Sequence, residues 1–182
     1  MLSGSASFGA MTSRTLFLMR HAKTRDHHPL GDKARELSPR GVTQAQQAGL
    51  ELASRGIQLV LCSTSVRTRQ TCALLGLRTP EGEPVPVQYM EALYHAGADT
   101  LRQRISEIED EVTGLLIVGH APAIPTLASE LAWTSSHQAA DQMQCSFPTS
   151  TFSEFVIDDS WASFADGIPE AVELSGINRP KK

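Results

Sequence analysis

Short apolar runs alternate with amphipathic stretches along this chain, and that alternation predicts its elements. "TLFLM" (15–19) is uninterrupted and bounded by polar residues, as a strand buried on both faces should be. "DHHPLGDKARELSPRG" (26–41) is polar and rich in turn formers, and so reads as a long loop. In "VTQAQQAGLELASR" (42–55), Val42, Ala45 and Leu52 share one helical face, and Gly56 follows as a C-terminal stop. A second strand is expected at "IQLVLCS" (57–63), then a helix at "SVRTRQTCALL" (65–75) with Ser63, Thr64 and Ser65 as candidate N-caps. "VPVQY" (85–89) is a brief third strand, and "ADTLRQRISEIEDEV" (98–112) is a helix with Leu101, Ile105 and Ile108 inward. "GLLIVGH" (114–120) is the clearest strand of all. Pro122 and Pro125 suit the first turn of a helix running to Trp133, and the alternating "STFSEFVID" (150–158) predicts a final strand at a sheet edge.

Strand and helix take turns throughout. The expected fold class is therefore α/β, a three-layer α/β/α sandwich whose mostly parallel sheet carries an antiparallel edge strand. A single domain is expected over 14–178, between a flexible N-terminal leader (1–13) and a flexible tail (179–182), with translation beginning at Met1 or Met11. Ligands of such sheets bind at the carboxyl ends of the strands. There this chain places Arg20-His21 after the first strand, Ser63 to Arg67 after the second, Glu91 after the third and His120 after the fourth. The first apolar run breaks off in "RHAKTR" (20–25), where Gly, Pro, Asn or Asp would be usual. Those cations and that imidazole make sense if partners from the other strand ends meet them on one rim.

Composition narrows the classes. The net charge of −4 and the lack of a Lys/Arg stripe disfavour nucleic acid, so an anion site must be a local concentration of positive charge. Three cysteines without C-x-x-C spacing argue against a disulfide framework or a zinc site and fit reduced thiols in a cytoplasm. The leader has no basic n-region or apolar stretch of signal-peptide length, and no run approaches the ~18 apolar residues of a membrane span. A cytoplasmic protein with no membrane partner is expected.

Singly, these candidate residues are ordinary: a lone histidine after a strand is more often structural, and Arg67 alone would be a solvated helix residue. Their coincidence points to phosphoryl chemistry. Arg forks match the oxygens of a phosphoryl group, and Arg67, in a first helical turn, would add the aligned N–H groups of a helix N-terminus. A neutral imidazole can attack phosphorus and divide one hard displacement into two easier ones. Flanking cations disfavour its protonation while the site is empty, and His120 would donate hydrogen bonds to oxygens gaining charge. His27 and His28 lack the companion ligands of a metal motif, so neither metal nor organic cofactor is expected. Cys62 misses the cysteine-phosphatase register: Arg67 follows it by five residues, not six, and it reads as a packed apolar residue.

"LMRHAKTR" resembles the Arg-His signature of the histidine phosphatase superfamily, the phosphoglycerate mutase-like fold. "CSTSVRTRQT" is similar to its Ser-x-x-x-Arg-x-x-x-Thr block, and "LLIVGHAPAI" to its second-histidine block. "RHAK", "ELSPRG", "EALYHA" and "FPTSTFSEF" make the chain most similar to the SixA-like branch of phosphohistidine phosphatases, over about Thr15 to Pro180. The resemblance implies His21 as nucleophile, Arg20, Arg67 and His120 as the phosphate pocket, and Glu91 as a proton donor. The alternative for Glu91 is a simple rim ion pair. Lys23 and Thr24 are further candidates for substrate binding, with ordinary loop residues as the alternative. His95 is expected to border the pocket and His137 to lie on the surface.

The expected activity is hydrolysis of a phosphohistidine or a phosphomonoester through a phosphohistidine intermediate on His21. The partner would be a phosphorylated protein or a small phosphorylated metabolite. Two alternatives stand beside it: a phosphoglycerate-type mutase, and a phospho-ligand binding module without catalysis. The short segment between Arg67 and His120 leaves little material for a mutase lid, and the presence of both histidines counts against a bare binding module.

Overall fold

The computed structural model describes residues 12–181. The leader expectation therefore lies almost wholly outside the described residues, as does Met11.

The first apolar run forms β1 (Arg14–Arg20), and the other strands are β2 (Leu59–Ser63), β3 (Val87–Met90), β4 (Gly114–Gly119), β5 (Phe152–Ile157) and β6 (Val172–Asn178). They make one sheet in the order β3-β2-β4-β1-β5-β6. β1, β2, β3 and β4 are parallel, β5 runs antiparallel to β1, and β6 antiparallel to β5. The helices are α1 (Pro39–Leu52), α2 (Val66–Leu75), α3 (Ala98–Ser106), α4 (Ala123–Trp133) and α5 (His137–Cys145).

Both sheet faces are covered, and β1 shows why its run had to be uninterrupted. Phe17 and Met19 pack with Val60, Val118, Leu52 and Leu75 on the α1/α2 side. Leu16 and Leu18 pack with Leu61, Ile117, Leu101, Leu127 and Met143 on the side of α3, α4 and α5. Successive strand side chains point to opposite faces, so a two-faced core needs apolar residues at every position.

Three expectations are corrected. The 150–158 segment is not the final strand or an edge: β5 lies between β1 and β6, and β6 is the antiparallel edge. Helix α1 begins three residues earlier than expected, because Ser38 caps it, accepting from the Gly41 N–H at 3.1 Å, with Pro39 in the first turn. It also ends at Leu52; Gly56 supplies a later left-handed turn (φ 70°) rather than the cap. The third helix ends at Ser106, where the Ile108 N–H turns back to the Ile105 carbonyl.

Gly41 fixes the approach of α1 to the chain after β1. A Cβ there would stand 1.9 Å from the Lys23 carbonyl oxygen, two residues past His21. The same carbonyl accepts from the Ser38 N–H at 2.9 Å and from its hydroxyl at 3.2 Å. Gly41→Ala should therefore cost about 1–3 kcal/mol through backbone displacement. Gly176→Ala, where a Cβ meets nothing within 4 Å, should stay within about 0.5 kcal/mol of the parent when both variants are compared by urea melts. Equal stabilities for the two variants would contradict this packing.

Candidate active site

β1 and β4 are neighbours in register, with Arg20 opposite Gly119, so the residues just beyond them emerge side by side. The His21 N–H completes the ladder on the Gly119 carbonyl at 3.0 Å. The carbonyls of Arg20 and His21 both accept from the Ser150 N–H, at 3.1 and 3.0 Å, and the Ala22 N–H donates to Thr71 Oγ1 at 3.1 Å. Ser150 holds this position with φ 65°, in the left-handed region, while its hydroxyl donates to the Gln44 carbonyl of α1. The backbone carrying His21 is thus fixed from β4, from the turn before β5 and from α2 together.

The His21 ring is itself oriented. Its Nδ1 lies 2.8 Å from the Ala22 carbonyl oxygen. A carbonyl only accepts, so Nδ1 carries the proton and Nε2 keeps its lone pair. The His120 ring lies 5.3 Å away, centroid to centroid, with Nε2 2.8 Å from Ser63 Oγ at the end of β2. Its Nδ1 is buried and has no partner among the described residues. If Ser63 donates to Nε2, His120 presents an Nδ1–H donor. Tyr94 meets the same ring edge-on at 5.6 Å.

Two guanidiniums complete the group. Arg67 sits in the first turn of α2, which Ser65 caps, and is 7 % exposed. Its Nη1 donates to the Asp32 carbonyl at 2.7 Å and its Nη2 to Asp32 Oδ2 at 2.9 Å. Arg20 Nη1 donates to the Phe147 carbonyl at 2.9 Å. The Nε atoms of both arginines are buried without a partner among the described residues. Buried donors are rarely left unpaired. Three of them around two histidines make a site arranged for an anion.

Electrostatics agree. Burial, and then the neighbouring His120, Arg67 and Arg20 charges, lower His21 to about 3 against the Ala22 carbonyl, which favours protonation. Burial and Arg67 lower His120 to about 4. Burial, then Arg67, also lowers Arg20. Both imidazoles are therefore held in the neutral form at physiological pH.

Other expected residues lie apart. Glu91 is at the rim, its side chain 67 % exposed, with both oxygens 2.7 Å from Lys33 Nζ and a further hydrogen bond from the Thr64 hydroxyl. Those partners, Lys33 foremost, lower its pKa, so in this arrangement it is an ionised rim pair rather than a protonated donor. Thr24 is buried and its hydroxyl accepts from Arg35 Nη2 at 2.6 Å. Lys23 is exposed, and its N–H and carbonyl anchor Gln44 and Ser38. Cys62 is fully buried, and the adjoining Cys72 thiol together with burial raises its pKa, which opposes a thiolate nucleophile. His95 packs at a tilt against Tyr94, ring centroids 4.1 Å apart, and His137 stacks on Trp133. Among the described residues no group of three or more His, Cys, Asp or Glu could hold a metal, and no helix is long and apolar enough to cross a membrane.

The residues that sequence reasoning missed are Asp32, Tyr94 and Ser150. All three sit outside the regular helices and strands, and their side chains bond to partners 35 to 106 positions away in the chain. The Ser63 contact had a faint signal, since the polar residues after β2 were expected on the same rim.

Comparisons with known proteins agree with this geometry. The family model of the histidine phosphatase superfamily (branch 1) matches residues 16–114. An uncharacterized protein of Mycobacterium leprae is 39 % identical over 172 residues, covering 90 % of this chain and all of that protein. A candidate phosphohistidine phosphatase SixA from Nakamurella multipartitia superposes with a TM-score of 0.81 at 32 % identity, covering 94 % of this chain and 99 % of that one. The protein histidine phosphatase SixA complexed with tungstate shares the fold at 20 % identity, with a TM-score of 0.69 over 90 % of this chain and 95 % of the other. The chain belongs to the histidine phosphatase superfamily, and its fold is that of the SixA phosphohistidine phosphatases.

The buried neutral histidines have a stability consequence. The unfolded chain binds protons on them below the ordinary value of 6.5, whereas the folded chain resists protonation down to about 4 for His120 and about 3 for His21. The unfolded state therefore holds more protons across that window, and stability falls as pH is lowered through it. Calorimetric melts from pH 7 to pH 4 should show a falling Tm, with a shallower fall for His120→Gln. Equal slopes for parent and variant would contradict a buried neutral His120.

Proposed function

We propose that this protein is a phosphatase that hydrolyses a phosphohistidine, or a phosphomonoester, through a covalent phosphohistidine on His21. The observation that carries the reading is the His21 ring. Its proton is held at Nδ1 by the Ala22 carbonyl, and its Nε2 is left free 5.3 Å, ring to ring, from a second neutral histidine.

In the first step the Nε2 lone pair forms a bond to phosphorus as the bond to the leaving group breaks. The phosphorylated ring keeps its Nδ1 proton and becomes cationic, stabilised by the Ala22 carbonyl and ready to leave. Water then attacks phosphorus, the P–Nε2 bond breaks, and phosphate departs with His21 again neutral. Arg20, Arg67 and the Nδ1–H of His120 stabilise charge growing on the equatorial oxygens. A leaving imidazole protonated at its other nitrogen departs neutral, so the phosphohistidine reaction needs no strong acid from the rim, in keeping with the ionised state of Glu91.

Between α2 and β4 the chain has only the short β3, a 3-10 turn at Glu91–Leu93 and α3. That supplies little to enclose a metabolite and supports a protein-borne phosphoryl group over a mutase substrate. The SixA likeness supports the same substrate class.

His21→Ala should abolish turnover of a phosphohistidine peptide, whereas Cys62→Ser should retain it. Arg20→Ala or Arg67→Ala should each lose about 2–4 kcal/mol of transition-state stabilisation. Rapid quenching with radiolabelled substrate into alkaline denaturant should trap a phosphoenzyme that is acid-labile and absent from His21→Ala. Full labelling of that variant would reject the mechanism. Isomerisation of a phosphoglycerate faster than phosphate release would favour the mutase.

A further inference from the structure

Asp32 stands where the two walls of the site meet, and its contacts go beyond those of an ordinary loop residue. Its main-chain carbonyl accepts from Arg67 Nη1 at 2.7 Å, and Oδ2 accepts from Arg67 Nη2 at 2.9 Å and from the Tyr94 hydroxyl at 2.8 Å. Oδ1 accepts from Arg35 Nη1 at 3.0 Å. Arg35 is rooted in turn beside the nucleophile: its Nε and Nη2 donate to the Arg25 carbonyl, and Nη2 also donates to Thr24 Oγ1. The base of this loop is closed by pairing of Thr24 with Leu37 and by the Arg25 N–H on the Glu36 carbonyl. Tyr94 also packs edge-on against His120. A continuous chain of hydrogen bonds thus links the segment after His21 to Arg67, and the Tyr94 ring extends it by an edge-on contact to His120.

We propose that Asp32 is a positioning residue of the phosphate site. It grips both Nη atoms of Arg67, so that Nε and the remaining Nη protons are left for the anion. The proposal rests on the phosphatase reading and adds a residue to it. A guanidinium on a long side chain samples many rotamers, and holding it beforehand removes an ordering cost from anion binding. The competing effect is charge: a carboxylate lowers the positive potential that attracts phosphate. The Asp32 side chain is 53 % exposed, so solvent screens that penalty, while the hydrogen-bond geometry acts at contact range. The orienting effect prevails.

The test is calorimetric titration of the full chain with tungstate, a phosphate-like oxyanion, together with kcat and KM on an aryl phosphate. Asp32→Ala should weaken tungstate binding at least tenfold and lower kcat/KM by a similar or larger factor. Asp32→Asn keeps the carbonyl and one side-chain oxygen acceptor for Arg67, and should recover most of that loss. Because Asp32 acts through Arg67, adding Asp32→Ala to Arg67→Ala should weaken tungstate binding by less than twofold further. A structural role alone would give additive losses, and melting curves on every variant identify any that fail to fold. Tighter or unchanged tungstate binding by Asp32→Ala would overturn the proposal and make the carboxylate a plug. If the parent binds tungstate and Arg67→Ala does not, the anion site stands whatever Asp32 does. A parent that fails to bind tungstate would overturn both readings.

Discussion

The hydrogen bond from the His21 N–H to the Gly119 carbonyl, the last rung between β1 and β4, is the constraint on which the site depends. The two strands are far apart in the chain but adjacent in the sheet, and their parallel register makes both end at one level. The register also decides which side chains leave the strand ends together: His21 on one side and His120 on the other, with Ser63 one strand further along. No long-range search by flexible loops is required to bring the two imidazoles together. Rigid elements hold them, which is the way reactive groups keep their geometry to fractions of an ångström.

Burial then sets the charge state. Each imidazole would cost free energy to protonate here, and the Arg20 and Arg67 guanidiniums add to that cost. The Arg67 charge is close enough to lower Arg20, so the two guanidiniums repel each other. An anion held between them would relieve that repulsion. The residue that interrupts this picture is Asp32, an anion fixed on Arg67. Tyr94 first, then Arg35 and Arg67, hold its carboxyl well below the ordinary range, so it is ionised throughout the working pH.

The fold was legible wherever periodicity was strong. β1, β2 and β4 are buried on both faces and announce themselves as apolar runs; α2 and α4 carry clear caps or first-turn prolines. α5 was not foreseen because "HQAADQMQC" buries only Ala140 and Met143, too sparse a pattern to register. β6 escaped because "VELSGIN" is a half-buried edge strand interrupted by Gly176. The site divides along the same line. Residues directly after buried strands, such as His21 and His120, could be placed from order alone. Asp32 and Tyr94 could not, since an acidic or aromatic residue in a loop carries no local sign of the guanidinium it will meet. Glu91 shows the converse: position after β3 suggested chemistry, and Lys33, from a loop 58 residues earlier, took the carboxylate as a partner.

Ser150 donates one amide hydrogen to two successive carbonyls, those of Arg20 and His21 at the end of β1, while its hydroxyl fastens the turn to α1. A side chain in the left-handed region is tolerated here because the surrounding contacts over-determine it. The end of β1 is therefore spliced into the sheet's antiparallel half as well as its parallel one. Any loosening of the turn at Ser150 would reach His21 directly, so the exchange rate of that single amide reports how firmly this strand end is held.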